Sequence, residues 1–152
     1  MIVAIADLAD ADVQALIAFH QHDMLAASPP GTSFALDLSG LTDPAVTLWA
    51  VRVDKQVAAI GALKRLDDKQ AELKSMRTHP DFLRRGIAAG LLETIIDFAR
   101  IDGIIRLSLE TGSGALFEPA LALYRQRGFA NGDAFGDYRL TDFNQCLHLD
   151  LP

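Results

Sequence analysis

A short basic turn at the start of a long helix is the stretch of this sequence best suited to hold a ligand. The turn, Arg84–Gly86, is followed by apolar residues at helical spacing from Ile87 to Phe98. The first backbone N–H groups of a helix have no internal partner, and the helix dipole is positive at that end. Because Gly86, Ala88 and Ala89 leave the backbone uncovered, a phosphate can approach it closely. The segment therefore predicts an anion site.

Other phosphate-binding motifs do not fit the sequence. A P-loop needs Gly-x-x-x-x-Gly-Lys-Ser/Thr, which occurs nowhere in the chain. A dinucleotide fingerprint needs Gly-x-Gly-x-x-Gly between a strand and a helix, and the candidate at residues 112–114 lacks the third glycine. An ordinary strand–helix junction with a solvated arginine pair stays open as the non-functional interpretation of the turn.

The residues around the turn match a known family pattern. The GCN5-related N-acetyltransferases (the GNAT superfamily) have an acetyl-CoA motif that residues 76–92 closely resemble, here Met-Arg-Thr-His-Pro-Asp-Phe-Leu-Arg-Arg-Gly-Ile-Ala-Ala-Gly-Leu-Leu. The family pattern is Arg/Gln-x-x-Gly-x-Gly/Ala. Gly86 and Ala88 fit this pattern, whereas Leu83 stands at the Arg/Gln position.

A second stretch supports the same resemblance. Residues 120–129 resemble the second family signature, a helix that carries a tyrosine, here Tyr124, and is followed by Gly-Phe. Three further segments, at residues 72–76, 109–112 and 135–138, are together similar to one bacterial branch of small-molecule acetyltransferases. With the order of the expected strands, the resemblance covers nearly the whole chain.

The resemblance implies a fold, an acetyl donor and the residues that bind it. The implied fold is α+β in three layers, one domain over residues 1–152. Its mixed, mostly antiparallel central sheet has about seven strands flanked by helices, with a parallel pair at the cofactor site. Acetyl-CoA is the implied co-substrate, with pantetheine lying along a strand like an added edge strand. The implied binding residues are Met76, Arg77, Thr78, Leu83, Arg84, Arg85, Gly86, Ile87, Ala88 and Ala89.

The resemblance also suggests which residues move protons. Tyr124 matches the family position that donates a proton to the departing thiolate, and an ordinary pKa of about 10 keeps a tyrosine protonated at neutral pH. Without the cofactor motif, a tyrosine that fills the core is the simpler interpretation. Glu72 is the candidate base, because strand alternation places it on one face with Lys74 and Met76. Glu110, at the end of the parallel strand, is its rival.

The implied acceptor is a primary amine of a small molecule, attacked directly in a ternary complex. The sequence leaves its identity open, since one fold supports many acceptors. Residues that the resemblance places near the acceptor are Phe34, Glu110, Asp137 and Tyr138, with His22, Ser28 and Asp37 as further candidates. His79 occupies a family position that is usually structural. A non-catalytic acyl-CoA sensor or interaction domain is the alternative, because Leu83 departs from the pattern.

Composition excludes several other classes of protein. The chain of 152 residues has a net charge of −6, whereas nucleic-acid binding favours a basic surface. No apolar run is long enough to span a membrane, and the N-terminus lacks the basic region of a signal peptide. The single Cys146 fits a reducing compartment, so we expect a cytoplasmic protein. No cluster has metal-ligand spacing, so we expect no metal, and an exposed strand edge allows a homodimer.

Helices that position these residues are predicted from capping signals and periodicity. A first helix is expected from Asp10 or Asp12 to about Ala26, with His20 near its end partly charged because the helix dipole favours a cation there. A short helix is expected over residues 34–41. The central helix follows the basic turn, and a last helix ends at Gly128.

Strands are predicted from alternation and turn residues. A strand at residues 1–5 opens the chain, and a hairpin turns at Asp54-Lys55. A strand, the central helix and another strand imply a right-handed crossover with parallel pairing. Apart from the first, the expected strands cover residues 45–53, 56–66, 71–78, 104–110 and 145–149.

Overall fold

A seven-stranded sheet forms the centre of the computed structural model, which describes all residues from Met1 to Pro152. The strands are β1 (Ile2–Ile5), β2 (Val46–Val53), β3 (Gln56–Arg65), β4 (Gln70–Thr78), β5 (Arg106–Thr111), β6 (Ala130–Gly132) and β7 (Gln145–Asp150). Their order across the sheet is β1-β2-β3-β4-β5-β7-β6. Strands β4 and β5 are parallel, and every other neighbouring pair is antiparallel. The expected mixed sheet with one parallel pair is confirmed.

Four α-helices cover the two faces of the sheet. They are α1 (Ala11–Ala27), α2 (Leu38–Leu41), α3 (Ile87–Ile101) and α4 (Glu118–Arg127). Helices α1 and α2 pack on one face, where Leu16 and Leu41 meet side chains of β2 and β3 such as Ile60. Helices α3 and α4 share the larger core on the other face. None of the helices is long and apolar enough to cross a membrane.

Capping residues explain where two of these helices begin. The Asp10 side chain accepts a hydrogen bond from the Asp12 N–H, so α1 begins as predicted. The short helix begins later than predicted, at Leu38 instead of Phe34. The Asp37 carboxylate accepts from the Gly40 N–H at 2.8 Å and caps it there, which leaves Phe34 in the preceding loop.

A β-bulge in β4 reverses one prediction about side-chain direction. Ser75 has a left-handed backbone (φ 55°), and Ser75 and Met76 together oppose the single residue Gly61 of β3. Met76 therefore packs against the α3 side. A Cβ on Gly61 would lie 2.5 Å from the Met76 sulfur, so only glycine leaves it room. The expectation that Met76 shares a face with Glu72 and Lys74 is wrong, because alternation is interrupted between them.

The C-terminal part of the sheet was predicted incompletely. Strand β7 lies between β5 and β6, so the last strand in sequence is not an edge. Strand β6 was not predicted, because Ala130–Gly132 is short, exposed and lacks an apolar pattern. A Cβ added to Gly132 would lie 2.7 Å from the His148 ring, so the absence of a side chain lets β6 pack against that ring.

Candidate active site

The parallel strands β4 and β5 separate soon after they meet. They pair over Gln70–Glu72 and Arg106–Ser108, and not beyond. Farther along, β4 still pairs with β3 and β5 still pairs with β7, so the strands diverge as a V. The Ser75 bulge bends β4 on one side of this opening. Backbone N–H and C=O groups that face the opening are therefore free to bind an extended ligand.

The basic turn lies just beyond the open end of β4. A short 3₁₀ helix, Pro80–Phe82, follows the strand, and the His79 ring caps it by accepting from the Asp81 N–H at 3.1 Å. Gly86 then precedes α3 with φ 74°, a backbone that glycine adopts without strain. No side chain caps the start of α3, so its first N–H groups remain available to an anion.

Charges beside this helix start are exposed and unpaired. Arg84 and Arg85 form no ion pair, although the Arg85 guanidinium lies 5.3 Å from the centre of the Phe82 ring. Leu83, at the position where the family pattern has Arg or Gln, is 56% exposed. The turn thus supplies a helix N-terminus and two cations to the same patch of surface. Because Leu83 is apolar, it adds no polar side chain there.

Tyr124 lies on α4, the helix that follows β5 in the chain. Its ring is buried among the α3–α4 core and packs edge-on against Phe129, with 5.8 Å between ring centres. Its hydroxyl makes no hydrogen bond within the chain, whereas the other tyrosine hydroxyl, that of Tyr138, makes two. Burial raises the Tyr124 pKa, and the positive charge of Arg77 opposes that increase. The side chain is therefore a neutral proton donor with an unused O–H.

Three polar side chains form a closed hydrogen-bond triangle at the vertex of the V. The Lys74 ammonium lies 3.1 Å from the Glu72 carboxylate and 2.8 Å from the Tyr138 hydroxyl, which donates to the same Glu72 oxygen at 2.5 Å. Burial and the Glu72 charge raise the Tyr138 pKa, so this hydroxyl stays protonated. Since Glu72 and Lys74 are both buried, their charges compensate one another.

Glu110 extends from β5 on the same face as this triangle. One of its oxygens accepts from the Asn144 amide at 3.2 Å, and no hydrogen bond is made to the other. Partial burial raises the Glu110 pKa, an effect strengthened by Glu72 and weakened by Asn144 and Lys74. A half-buried carboxylate with a raised pKa is suited to accept a proton near neutral pH.

A row of rings borders these carboxylates and joins two loops. Phe34, Tyr138, Phe135 and His148 follow each other edge-to-face, with ring centres 5.2, 5.0 and 5.8 Å apart. The His148 ring bonds at one nitrogen to Ser108 Oγ and at the other to the Asp133 carbonyl, both at 2.7 Å. Because a carbonyl only accepts, Nε2 of His148 donates to the Asp133 carbonyl.

His20 is a neutral part of the structure, which corrects the expected partial charge. It is buried, and its Nδ1 accepts from Arg77 Nε at 2.9 Å. Burial lowers the His20 pKa to about 4, with the Arg77 charge acting in the same direction. The desolvation of this ring outweighs the helix dipole that favoured a cation.

The structure brings most of the sequence-predicted residues together. Glu72, Tyr138, Phe34 and Glu110 meet on one face of the V, and Tyr124 approaches from the other. Asp137 lies in an exposed turn, and its side chain makes no hydrogen bond or ion pair in the chain. Of the further candidates, Asp37 is a helix cap, His22 is exposed and Ser28 ends α1.

Several polar residues of the site were not predicted. They are Asn144, His148, Ser108 and Asp23, which pairs with Arg77 at 2.8 Å, together with the pairing of Lys74. The pairing of Lys74 with Glu72 could have been predicted from the sequence, since Lys74 follows Glu72 by two residues on the same strand face. The others come from segments distant in sequence, and no local pattern points to them.

Comparisons with known proteins agree with this geometry. Residues 9–129 match the family model described as acetyltransferase (GNAT) family. The chain is 50% identical over 145 residues to YedL of Escherichia coli (strain K12), an uncharacterised N-acetyltransferase, covering 95% of this chain and 91% of that protein. It is 44% identical over 138 residues to YsnE of Bacillus subtilis (strain 168), also an uncharacterised N-acetyltransferase, covering 91% of each. A crystal structure from Klebsiella pneumoniae, described as an acyl-CoA N-acyltransferase, has a TM-score of 0.82 at 25% identity, covering 99% of this chain and 97% of that one.

Proposed function

This chain belongs to the GNAT acetyltransferase family and is an acyltransferase, and from that premise we propose that it moves an acetyl group from acetyl-CoA to a primary amine of a small molecule. The amine attacks the thioester directly while both substrates are bound. The observations that carry the proposal are the V between β4 and β5, with its free strand backbone, and the unbonded hydroxyl of Tyr124 on α4, the helix that follows β5.

The residues present fit the acetyl donor. The unpaired backbone of β4 beyond Glu72 suits pantetheine, whose two amides can pair with a strand. The uncapped start of α3, at Gly86, suits the pyrophosphate, and the unpaired Arg84 and Arg85 add positive charge. Leu83 contributes no polar contact, so we assign recognition of the phosphates to backbone N–H groups and the two arginines.

Tyr124 is the proposed general acid. When the amine nitrogen bonds to the acetyl carbon, the carbonyl oxygen gains charge, and strand N–H groups beside the bulge can stabilise it. The carbon–sulfur bond then breaks, and the electron pair leaves on sulfur. The Tyr124 O–H donates its proton to that sulfur and recovers one from water. A neutral hydroxyl with no competing partner is suited to this step.

Glu110 fits the role of base better than Glu72. The Glu72 carboxylate already accepts from Lys74 and Tyr138 in a buried triangle, so taking a proton there would disrupt a compensated pair. Glu110 has a free oxygen and a raised pKa, and it faces the same side of the opening. We therefore propose that Glu110 removes the amine proton, directly or through water, and that Glu72 anchors Tyr138.

Calorimetry and thiol release together test the function. We expect acetyl-CoA to bind and a panel of small amines to release free CoA, which a thiol reagent detects. Binding without turnover for any amine would identify a non-catalytic acyl-CoA sensor, and no binding at millimolar acetyl-CoA would refute the proposal altogether.

Tyr124→Phe tests the assignment of the acid. This variant retains the buried ring and removes only the unbonded hydroxyl, so its unfolding midpoint in urea should stay close to wild type. We expect kcat to fall about 10²–10⁴-fold with acetyl-CoA affinity nearly unchanged, because the interaction is made in the transition state. A full kcat in this variant means that water or another residue protonates the thiolate.

A further inference from the structure

One side chain beside the opening uses its whole hydrogen-bonding capacity, and one of its bonds goes to a carboxylate of the site. The amide nitrogen of Asn144 donates to Glu110 Oε2 at 3.2 Å and to the Arg139 carbonyl at 2.9 Å. Its amide oxygen accepts from the Thr141 backbone N–H at 2.7 Å and from the Thr141 hydroxyl at 3.2 Å. An asparagine side chain makes two bonds at each end, so all four are in use.

The backbone of Thr141 decides which end of this amide faces Glu110. A backbone N–H only donates, so the Asn144 atom that it bonds must be the side-chain oxygen. The nitrogen is then the end that faces the Arg139 carbonyl and the Glu110 carboxylate, both of which accept. The loop itself therefore sets the direction of the amide, independently of Glu110.

Strand register brings Asn144 to Glu110 although the two are far apart in the chain. Glu110 of β5 lies opposite Cys146 of β7. Asn144 precedes Cys146 by two residues, so it lies on the same face, diagonally across from Glu110. The preceding residue, Phe143, packs edge-to-face against Phe117 with ring centres 5.5 Å apart, which fixes the chain where it enters β7.

The loop between β6 and β7 holds the two carboxylates of the site in different ways. Its Tyr138 and the Lys74 ammonium both bond to one Glu72 oxygen, so a cation compensates that charge. Glu110 is bonded only by the neutral amide of Asn144, and its other oxygen makes no hydrogen bond. A neutral donor thus fixes the Glu110 carboxylate and leaves it able to take a proton.

We propose that Asn144 is a positioning residue for acetyl transfer, which holds one oxygen of Glu110 so that the other takes the proton of the acceptor amine. The inference rests on the proposed role of Glu110 as the base. The proton moves from the amine nitrogen to Oε1 of Glu110, and the nitrogen lone pair is then available to the acetyl carbon. Asn144 keeps its bond to Oε2 throughout and transfers nothing itself.

Other groups act on the same carboxylate. The titratable side chains on the same face of the neighbouring strands and loop are Glu72, Lys74, Tyr138, Cys146 and His148. Partial burial raises the Glu110 pKa, the Asn144 bond and the Lys74 charge lower it, and the Glu72 charge raises it. The Cys146 thiol is neutral, because burial and the Glu110 charge raise its pKa. A substitution at Asn144 leaves all these groups in place and changes only the amide.

Asn144→Asp tests the donated bond with almost no change in shape. The aspartate keeps an oxygen for the Thr141 N–H and loses the N–H group that bonds to Glu110. Because that bond stabilises the charged carboxylate, its loss should move the fall of kcat/KM at low pH to higher pH. At a pH where wild type is already slowed, we expect kcat/KM for the best amine of the panel to be about 10- to 100-fold lower. The Kd of acetyl-CoA, measured by calorimetry, should stay near wild type.

Asn144→Ala and Asn131→Ala control for added charge and for loosening of the loop. Asn144→Ala removes the bond without adding a carboxylate, so it should move the fall in the same direction, but less. Asn131 ties β6 to the start of β7 through Gln145 at 2.8 Å and does not bond to Glu110, so Asn131→Ala should leave the pH dependence unchanged. An unmoved fall in Asn144→Ala, or an equal movement in Asn131→Ala, would overturn the inference.

A double-mutant cycle with Glu110→Gln separates this inference from the function beneath it. If Asn144 acts through Glu110, adding Asn144→Ala to Glu110→Gln should lower kcat/KM by less than about twofold. Losses that multiply would overturn the inference and leave Glu110 as the base. If Glu110→Gln alone keeps the fall at low pH, Glu110 is not the base and Asn144 loses its role, although release of CoA would still support acetyl transfer.

Discussion

The strained serine in the bulge predicts an unusual gain of stability on substitution. Ser75 is 9% exposed, has a left-handed backbone with φ 55°, and its buried hydroxyl has no hydrogen-bond partner in the chain. A left-handed backbone costs a non-glycine residue about 1–2 kcal/mol, and a buried unsatisfied polar group costs about 1–3 kcal/mol. Both costs arise from this one residue, so replacing it should raise the free energy of unfolding.

Two substitutions separate the two costs. Ser75→Ala removes the hydroxyl and keeps the backbone strain, and we expect it to stabilise the protein by about 1 kcal/mol. Ser75→Gly removes both, but glycine loses more entropy on folding, about 0.5–1 kcal/mol. We therefore expect a total gain of about 1–2 kcal/mol. Lys55→Gly, at an exposed turn residue with φ 68° and no buried hydroxyl, is the control for strain alone.

Urea unfolding of the ligand-free protein measures these gains. Trp49 is the single tryptophan, is buried and packs edge-on against Phe98, so its fluorescence reports loss of the core. The midpoint should rise in the order wild type, Ser75→Ala, Ser75→Gly, at an unchanged slope. A lower midpoint for Ser75→Ala would refute the reasoning, because it would mean that the hydroxyl makes a stabilising contact.

Two further predictions concern the donor and the base. Changing both Arg84 and Arg85 to Ala should weaken the binding of acetyl-CoA much more than the binding of an acetyl thioester that lacks the nucleotide, because charge-assisted contacts contribute about 1.5–3 kcal/mol each. If calorimetry shows that both ligands lose affinity equally, the two arginines serve the fold and not the phosphates. For Glu110, whose pKa is raised by burial, kcat/KM should fall as the pH decreases through that raised pKa, since only the deprotonated carboxylate accepts the amine proton. This fall of kcat/KM at low pH should occur at a higher pH than the pKa of an ordinary glutamate would give, and it should be absent in Glu110→Gln but present in Glu72→Gln. If the fall persists in Glu110→Gln, Glu110 is not the base.

Local signals were sufficient for most of the fold. The β2–β3 hairpin turns at Asp54-Lys55 as predicted, and both residues have the positive φ that a tight hairpin requires. The crossover from β4 through α3 to β5 gave the parallel pair, because that connection leaves few alternatives. In each case the pattern and the structure it specifies lie within a few dozen residues of one another.

Features that depend on distant contacts were missed. The bulge at Ser75 carries no sequence signal, since a glycine or asparagine would mark a left-handed residue and serine does not. The placement of β7 between β5 and β6 is a choice of partner, which alternation along β7 cannot specify. The bond from Tyr138 to Glu72 joins residues far apart in the chain, so the engagement of Glu72 was not visible from its strand position.

The three-residue pairing between β4 and β5 also determines how the molecule can come apart. Strands β1–β4 form one half, on which α3 packs, and β5–β7 form the other. Besides the core, the halves are joined by this short ladder with the adjoining backbone bonds to the Lys69 carbonyl, by the ion pair between Arg127 of α4 and Glu93 of α3, and by the bonds from Tyr138 to Glu72 and Lys74. A ligand that lies along β4 and reaches Tyr124 contacts both halves at once. Its binding energy then adds to the free energy needed to separate the two halves. With the ligand bound, the amides of β5 should therefore exchange with solvent more slowly, and the two halves should unfold as one cooperative unit.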